Sequence, residues 1–200
     1  MKRLSILAVS TVALLACGPG AKIGNGKQGA AEALMAASGP TKAGSDKAGS
    51  PVDLTGAVTW TCPKGGQAKL SGFSIKVNTT GGANISQTFK LEYLACGLAD
   101  SDQGVAIYNG SMSVDQSIVT GTTGVDLEQK FTGRVLVQGA FDDFIDADVT
   151  QKISAGVLNG TGNVSATLVG SITTSSGAYT YDEAVTVTAG RISAVIQTKN

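Results

Sequence analysis

The strongest indication of the fold lies in residues 125–139, which read Val125-Asp-Leu-Glu-Gln-Lys-Phe-Thr-Gly-Arg-Val-Leu-Val-Gln-Gly139. Apolar side chains occupy alternate positions along this stretch, with interruptions at Gln129 and Gly133, and polar or charged side chains fill most of the positions between them. Successive side chains of a β-strand point to opposite faces, so this alternation predicts a long strand with one buried and one solvated face. It is the longest alternation in the chain.

The same period of two continues on both sides of this stretch. Further alternating runs begin at Phe73, Phe89, Ile145, Val164, and then Val185 with Ile192. Clusters of Gly, Asn, Asp, Ser and Thr separate the runs and suit hairpin turns, at residues 78–82, 100–104, 121–124, 159–160 and 175–177. Connections this short leave no room for crossover helices, which excludes a parallel sheet. The sequence therefore predicts an all-β, antiparallel meander of about nine long strands.

Nine strands with one apolar face each must bury that face, because soluble proteins rarely expose so large an apolar patch. Closure into a barrel, strong curling of one sheet, or folding into a sandwich would all do so. Small inward residues such as Ala147, Ala166 and Gly170 leave volume for a groove in a curled sheet. The chain has too few Trp and Tyr residues for the girdles of a transmembrane barrel, and they are scattered, at Trp60, Tyr93, Tyr108, Tyr179 and Tyr181.

The N-terminus carries a targeting pattern. Lys2 and Arg3 precede an apolar run that ends in Leu14-Leu15-Ala16-Cys17. The run has about 13 residues and is too short for a transmembrane helix, which needs roughly 20. The pattern resembles the signal peptide and lipobox of bacterial lipoproteins. That resemblance implies removal of residues 1–16 and acylation of Cys17, and Gly18, where an inner-membrane retention signal would have Asp, points to the outer membrane.

The remaining chain divides into a tail and one domain. Residues 17–51 form the expected lipidated tail, with a short, marginal helix over residues 27–38 and a flexible linker of Gly, Ser, Lys and Pro from Ser38 to Pro51. Residues 52–200 form the expected β-domain. This domain has nine basic and 13 acidic residues, a net charge of about −4, and so lacks the basic surface that nucleic-acid binding requires.

Cysteine usage agrees with an envelope protein. With Cys17 acylated, Cys62 and Cys96 remain as a pair in an oxidising compartment, where a disulfide is expected. It would close a loop of about 35 residues and contribute roughly 3.5 to 4 kcal/mol by restricting the unfolded chain. Two thiolates without a histidine are a poor zinc site.

The sequence restricts the available chemistry. There is no histidine, which removes Ser-His-Asp and Cys-His catalysis and imidazole metal sites. The densest acidic cluster consists of Asp142, Asp143, Asp146 and Asp148. The solvated face of a strand explains these carboxylates better than the active site of a carboxylate hydrolase does.

Asp100 and Asp102 resemble the start of a calcium loop, but the following residues depart from the EF-hand pattern, so a polar turn is the better interpretation. No metal, cofactor or catalytic residue is therefore expected.

Three functions remain compatible with these observations. The leading expectation is a lipid-anchored outer-membrane protein with a non-enzymatic structural, adhesive or protein-interaction role, facing the periplasm or the cell surface and having a filled core. The alternative is an envelope carrier or binder of a lipid or another apolar ligand, held in a groove of a curled sheet. A carboxylate hydrolase is a weaker third possibility.

Overall fold

The computed structural model describes residues 21–38, 56–79, 83–101, 104–121, 124–158, 161–188 and 191–197. Within these residues one helix precedes nine strands: α1 Gly26–Ser38, β1 Val58–Thr61, β2 Gln67–Asn78, β3 Ala83–Ser101, β4 Gly104–Thr120, β5 Gly124–Gly139, β6 Asp143–Leu158, β7 Thr161–Thr174, β8 Gly177–Thr188 and β9 Arg191–Gln197.

All nine strands belong to one antiparallel sheet, in which each strand pairs with its neighbour in sequence from β1 to β9. This confirms the predicted all-β meander. Within the described residues β1 and β9 are the outer strands and the sheet does not close. The sandwich alternative was wrong, because the apolar face is covered by a helix and not by a second sheet.

The sheet has two ends, which we name the helix end and the open end. The helix end carries the β3–β4, β5–β6 and β7–β8 turns, and the open end carries the β2–β3, β4–β5, β6–β7 and β8–β9 turns. The predicted turns match these connections closely. The exceptions are the turn between β5 and β6 at residues 140–142 and the connection between β8 and β9, neither of which the sequence predicted as a turn.

Cross-strand pairing places the apolar positions of the strands on one face. Phe131 of β5, for example, lies between Val114 of β4 and Val149 of β6, and all three side chains are buried. Because residues paired across antiparallel strands share a face, the register carries this apolar face across the sheet. The predicted inward direction of the β5 residues is confirmed.

The helix α1 lies on this apolar face and contacts β3 and the four strands from β6 to β9. A flat sheet would separate β3 from β9 by about 29 Å at 4.8 Å per strand. A helix of 13 residues is only about 20 Å long. The sheet therefore curls towards the helix, which lies on its concave face.

Small side chains let the helix approach the sheet closely. Ala30, Ala31 and Ala37 are fully buried on the helix, as is the larger side chain of Leu34, and Met35 is 5% exposed. The buried sheet residues Ala147 and Ala166 also belong to the core that includes the helix. The small inward residues that we expected to leave a groove instead belong to a core that the helix fills.

The predicted helix at residues 27–38 is confirmed to within one residue, and it packs into the core, although the sequence predicted only a marginal helix. The predicted boundary between residues 51 and 52 and most of the Ser38–Pro51 linker lie outside the described residues. The packing of α1 nevertheless means that the N-terminal part of the chain contributes to the core of the β-domain.

The predicted disulfide between Cys62 and Cys96 is present, and both residues are buried. It joins the β1–β2 turn to β3, where the pairing with β4 is irregular. Backbone hydrogen bonds reinforce this junction, from the Lys64 amide to the Gly97 carbonyl (3.0 Å) and from the Gly97 amide to the Gly65 carbonyl (2.9 Å).

Candidate functional site

The chain enters the fold at the helix end of the sheet. Cys17 lies outside the described residues, and Ala21 is the first described residue, bridged to Phe141 in parallel orientation. The Ala21 amide donates to the Ala140 carbonyl (3.3 Å), and the Asp142 amide donates to the Ala21 carbonyl (3.0 Å). The entering chain is therefore held against the β5–β6 turn.

Asp143 fixes the next part of the chain. Its carboxylate accepts hydrogen bonds from the backbone amides of Ile23 (2.8 Å), Phe144 (2.7 Å) and Ser175 (2.8 Å). Asp143 is only 7% exposed. Burial raises the pKa of this carboxyl, but the hydrogen bonds to the charged form outweigh burial and hold the pKa below its ordinary value of 3.8. Asp143 thus joins the entering chain, β6 and the β7–β8 turn.

Three tyrosines of the sheet attach the helix by their hydroxyls. Tyr181 donates to the Lys27 carbonyl (2.6 Å), Tyr108 to the Ala33 carbonyl (3.4 Å) and Tyr93 to the Ala37 carbonyl (2.5 Å). Burial raises the pKa of all three phenols, with further increases for Tyr93 from Tyr108 and for Tyr181 from Glu183 and Tyr179. The hydroxyls therefore stay protonated and remain donors across the physiological pH range.

The first turn of the helix carries an additional ionic contact. Lys27 forms an ion pair with Glu183 of β8, and its ammonium lies 5.1 Å from the centre of the Tyr181 ring. The side chain of Glu183 is mostly buried. Because a buried carboxylate needs a partner of opposite charge, we assign this pair a structural role in seating the helix.

The structure disperses the acidic cluster that the sequence offered as a weak catalytic candidate. Asp143 is occupied by backbone amides, as described above, and exposed Asp142 pairs with Lys22 at 3.5 Å. Asp148 pairs with Lys130 of the neighbouring strand at 3.1 Å. Asp146 is also exposed, on the outer face of β6. These positions fit structural and surface ion pairs and provide no convergent pair of buried acids.

The weak calcium candidate lies largely outside what the structure describes. Asp102 is outside the described residues, and for Asp100 only the backbone is described, as part of β3. β3 continues to Ser101 and β4 begins at Gly104, so the connection is shorter than the predicted turn. Within the described parts of the chain, no three His, Cys, Asp or Glu residues form a group that could hold a metal ion.

A row of four glutamines crosses the concave face between the helix-covered core and the open end. Cross-strand pairing aligns them on β3 to β6, as Gln87, Gln116, Gln129 and Gln151. The Gln87 amide nitrogen donates to the Gln116 side-chain oxygen at 2.6 Å. Gln151 is buried, and the other three are half-buried. This glutamine row places amide donors and acceptors on an otherwise apolar face.

An apolar band lies at the open end of the concave face, beside and beyond the glutamine row, since Ile75 pairs with Gln87 and Val77 pairs with Ile85. Ile75 and Val77 of β2 are 60% and 63% exposed. Their neighbours in the band are half-buried residues of the next four strands, namely Ile85, Ile118, Leu127 and Ile153. The helix does not cover this part of the face, so the sheet keeps apolar side chains in contact with solvent there.

The strand β2 is also an edge strand at the open end. β1 pairs only with Gln67–Leu70, which leaves residues 72–77 without a strand on their outer side within the described chain. The backbone pairing with β3 is irregular between Ser71 and Ser74. The outer edge of this segment carries backbone groups that another strand could pair with.

Sequence reasoning identified the disulfide but missed the features that organise the concave face. In the sequence, Gln129 is only an interruption of an apolar alternation. Gln87, Gln116 and Gln151 likewise occupy inward positions of their own strands. Four inward glutamines at matching depth were a signal for a polar row. No comparable local signal marked the role of Asp143.

Comparison with known proteins gives no relative for this chain, since no protein-family model, curated protein or solved structure matches it. Among the described residues, no helix is both long and apolar enough to span a membrane.

Proposed function

We propose that this protein is a lipid-anchored, non-enzymatic protein-interaction module of the bacterial outer membrane. Its anchor is the acylated Cys17 that the lipobox resemblance implies, and its partner is an extended segment of another protein that binds at the open end. The observation that carries the proposal is the apolar band beside the outer edge of β2, with which no described strand pairs beyond Leu70, and on which Ile75 and Val77 are largely exposed.

The edge of β2 favours a polypeptide as the partner. An extended peptide can add to an exposed strand through backbone hydrogen bonds, while alternate side chains enter neighbouring apolar surface. Residues 72–77 offer such an edge, and the side chains of Ile75 and Val77 point to the concave face, where the apolar band continues. The two components of this recognition mode, an exposed strand edge and a neighbouring apolar surface, therefore lie side by side.

The glutamine row favours a peptide over a purely apolar ligand. An acyl chain lying against Gln87 and Gln116 would remove water from their amides without replacing the lost hydrogen bonds, at a cost of roughly 1–3 kcal/mol for each group left unpaired. A peptide backbone supplies both donors and acceptors. The alternative of a lipid carrier is supported by the band alone, whereas a peptide suits both the band and the glutamine row.

The non-enzymatic part of the proposal rests on the side chains that are available. The chain has no histidine. Asp143 is saturated by backbone donors, and Asp142 and Asp148 are in exposed ion pairs. The hydrolase interpretation therefore has no support in the arrangement of these carboxylates.

A photo-crosslinking residue at Ile75 in the full-length protein of intact cells tests the proposal. Leu136 is the matched control, because it is 44% exposed on the outer face of β5, away from the band. We expect a discrete protein adduct from position 75 and none from position 136, and we expect the substitution Val77→Lys to reduce the adduct severalfold.

Two results would overturn this assignment. Crosslinking of position 75 mainly to lipid, together with a lipid that co-purifies with the protein, would favour the carrier of apolar ligands. Equal adducts from positions 75 and 136 would show that the band has no special role in binding. In a parallel measurement, Cys17→Ser should remove the acyl modification and release the protein from the membrane fraction.

A further inference from the structure

The entering chain is held firmly at one end of the sheet. Ala21 bridges to the β5–β6 turn, and the Ile23 amide is bound by the buried carboxylate of Asp143. Lys22, between them, is paired with exposed Asp142. These contacts fix the point at which the chain from Cys17 reaches the folded domain, namely the helix end.

The distance from the anchor to that point is short. Cys17 precedes Ala21 by four residues, and an extended chain spans at most about 3.6 Å per residue, so Cys17 lies within about 14 Å of Ala21. The strands β5 and β6 have 16 residues each, which corresponds to about 50 Å between the two ends of the sheet. The short connection can bring only the helix end close to the membrane unless the domain lies flat.

The charges on the outer face of the sheet give no reason for the domain to lie flat. They are of both signs, and some pair across strands, as in Lys130 with Asp148 (3.1 Å) and Lys152 with Glu128 (3.0 Å). A membrane surface with anionic lipids attracts clusters of basic residues, and a surface of balanced pairs offers no such attraction.

We propose that the helix end of the sheet faces the lipid headgroups and that the open end, with the apolar band and the glutamine row, points away from the membrane by about the length of the strands. This inference rests on the proposed function, because it requires acylation at Cys17. It restricts the possible partners to protein segments that lie outside the membrane, tens of ångströms from its surface.

The orientation also changes the role expected for the Ser38–Pro51 segment. The sequence suggested a linker between the membrane and the domain. The segment follows the packed helix α1, so it connects two parts of the same domain and adds nothing to the distance between Cys17 and Ala21. The reach of the anchor is set by four residues and not by the linker.

Energy transfer in vesicles tests the orientation with the full-length, acylated protein. Single cysteines for a fluorescent dye are introduced as Ser176→Cys, in the exposed β7–β8 turn of the helix end, and as Thr120→Cys, at the exposed open end of β4. The vesicles contain phosphatidylethanolamine and phosphatidylglycerol, with an acceptor dye on the headgroups. We expect severalfold stronger transfer from position 176 than from position 120.

A spacer variant provides the matched control. Twenty Gly and Ser residues inserted between Cys17 and Ala21 would have a root-mean-square reach of about 25 Å, so the anchor would no longer fix the orientation. The difference between the two positions should then largely disappear. If it persists unchanged, the short connection is not its cause and the proposal is wrong.

The remaining outcomes separate this inference from the proposed function. Equal transfer from positions 176 and 120 in the acylated protein without the spacer would mean that the domain lies flat, and it would overturn the orientation while leaving the anchor intact. Absence of an acyl group on Cys17 in the mass spectrum of the native protein would overturn the anchor itself and the orientation with it.

Discussion

The two ends of the concave face have the same strands and the same alternation but differ in burial. On β5, Phe131 and Val135 at the helix end are 2% and 0% exposed, whereas Val125 at the open end is 41% exposed on the same face. The strand pattern specifies which face an apolar side chain joins. The helix α1 decides whether that side chain is removed from water.

The polar groups differ between the ends in a related way. At the helix end, Asp143 and the hydroxyls of Tyr93 and Tyr181 are used to hold the N-terminal chain and the helix. At the open end, the amides of Gln87 and Gln116 bond to each other and remain partly accessible. The helix end has the character of a core, and the open end has the character of a surface that can bind.

The largest expected effect comes from truncating the helix residue at the centre of the covered face. Leu34→Ala should lower the free energy of unfolding by about 3 kcal/mol, because it removes most of a fully buried side chain and leaves a cavity in its place. Leu127→Ala, on the same face but in the apolar band, should cost about 1 kcal/mol or less, because that side chain is only half-buried. Urea unfolding of both variants measures the difference. Equal losses would mean that the helix does not set the burial of the face.

The second effect concerns the attachment of the entering chain. Asp143→Ala should cost about 2 to 3 kcal/mol, because the backbone amides of Ile23 and Ser175 lose a charged acceptor. Asp143→Asn retains an acceptor and should cost less at pH 7. Urea unfolding of the three proteins at pH 7 measures the order of stability.

The pH dependence of Asp143→Asn isolates the charge. The pKa of Asp143 is lower in the folded protein than its ordinary value of 3.8, so the charged form contributes stability that is fully present above that value. This contribution is lost as the pH falls through the lowered pKa of the folded state. The stability difference between the wild type and Asp143→Asn should therefore be constant above about pH 5 and shrink below pH 3.8. A gap that widens on acidification would contradict the assigned direction.

Much of the fold could be predicted because strands, turns and the disulfide depend on local patterns. Alternation over Val125–Gly139 specifies a face, Gly and Asn clusters specify hairpins, and two cysteines remain as a pair for a bridge in the oxidising compartment that the lipobox resemblance implies. The position of α1 could not be predicted in this way. Its apolar stripe is thin, and its stability comes from close contact with the curled sheet, which only the assembled strands create.

The candidate site was predictable only in part for the same reason. The inward glutamines are visible as exceptions to the alternation, but their alignment requires the register of four strands. Asp143 gives no local signal, because its donors Ile23 and Ser175 are 120 and 32 residues away in the chain. The acidic neighbours in the sequence suggested a charged surface, whereas its actual partners are backbone amides.

The smallest expected effects compare one hydrogen bond from each end of the face. Tyr93→Phe should cost about 1 to 2 kcal/mol, because the buried carbonyl of Ala37 loses its hydroxyl donor. Gln116→Leu should change stability by no more than about 0.5 kcal/mol, because the partly accessible Gln87 amide can bond to water instead. Urea unfolding distinguishes the two. If Gln116→Leu costs as much as Tyr93→Phe, the glutamine row serves stability and its proposed part in peptide binding loses its basis. If it is neutral for stability but weakens the crosslink from position 75, the row belongs to the binding surface.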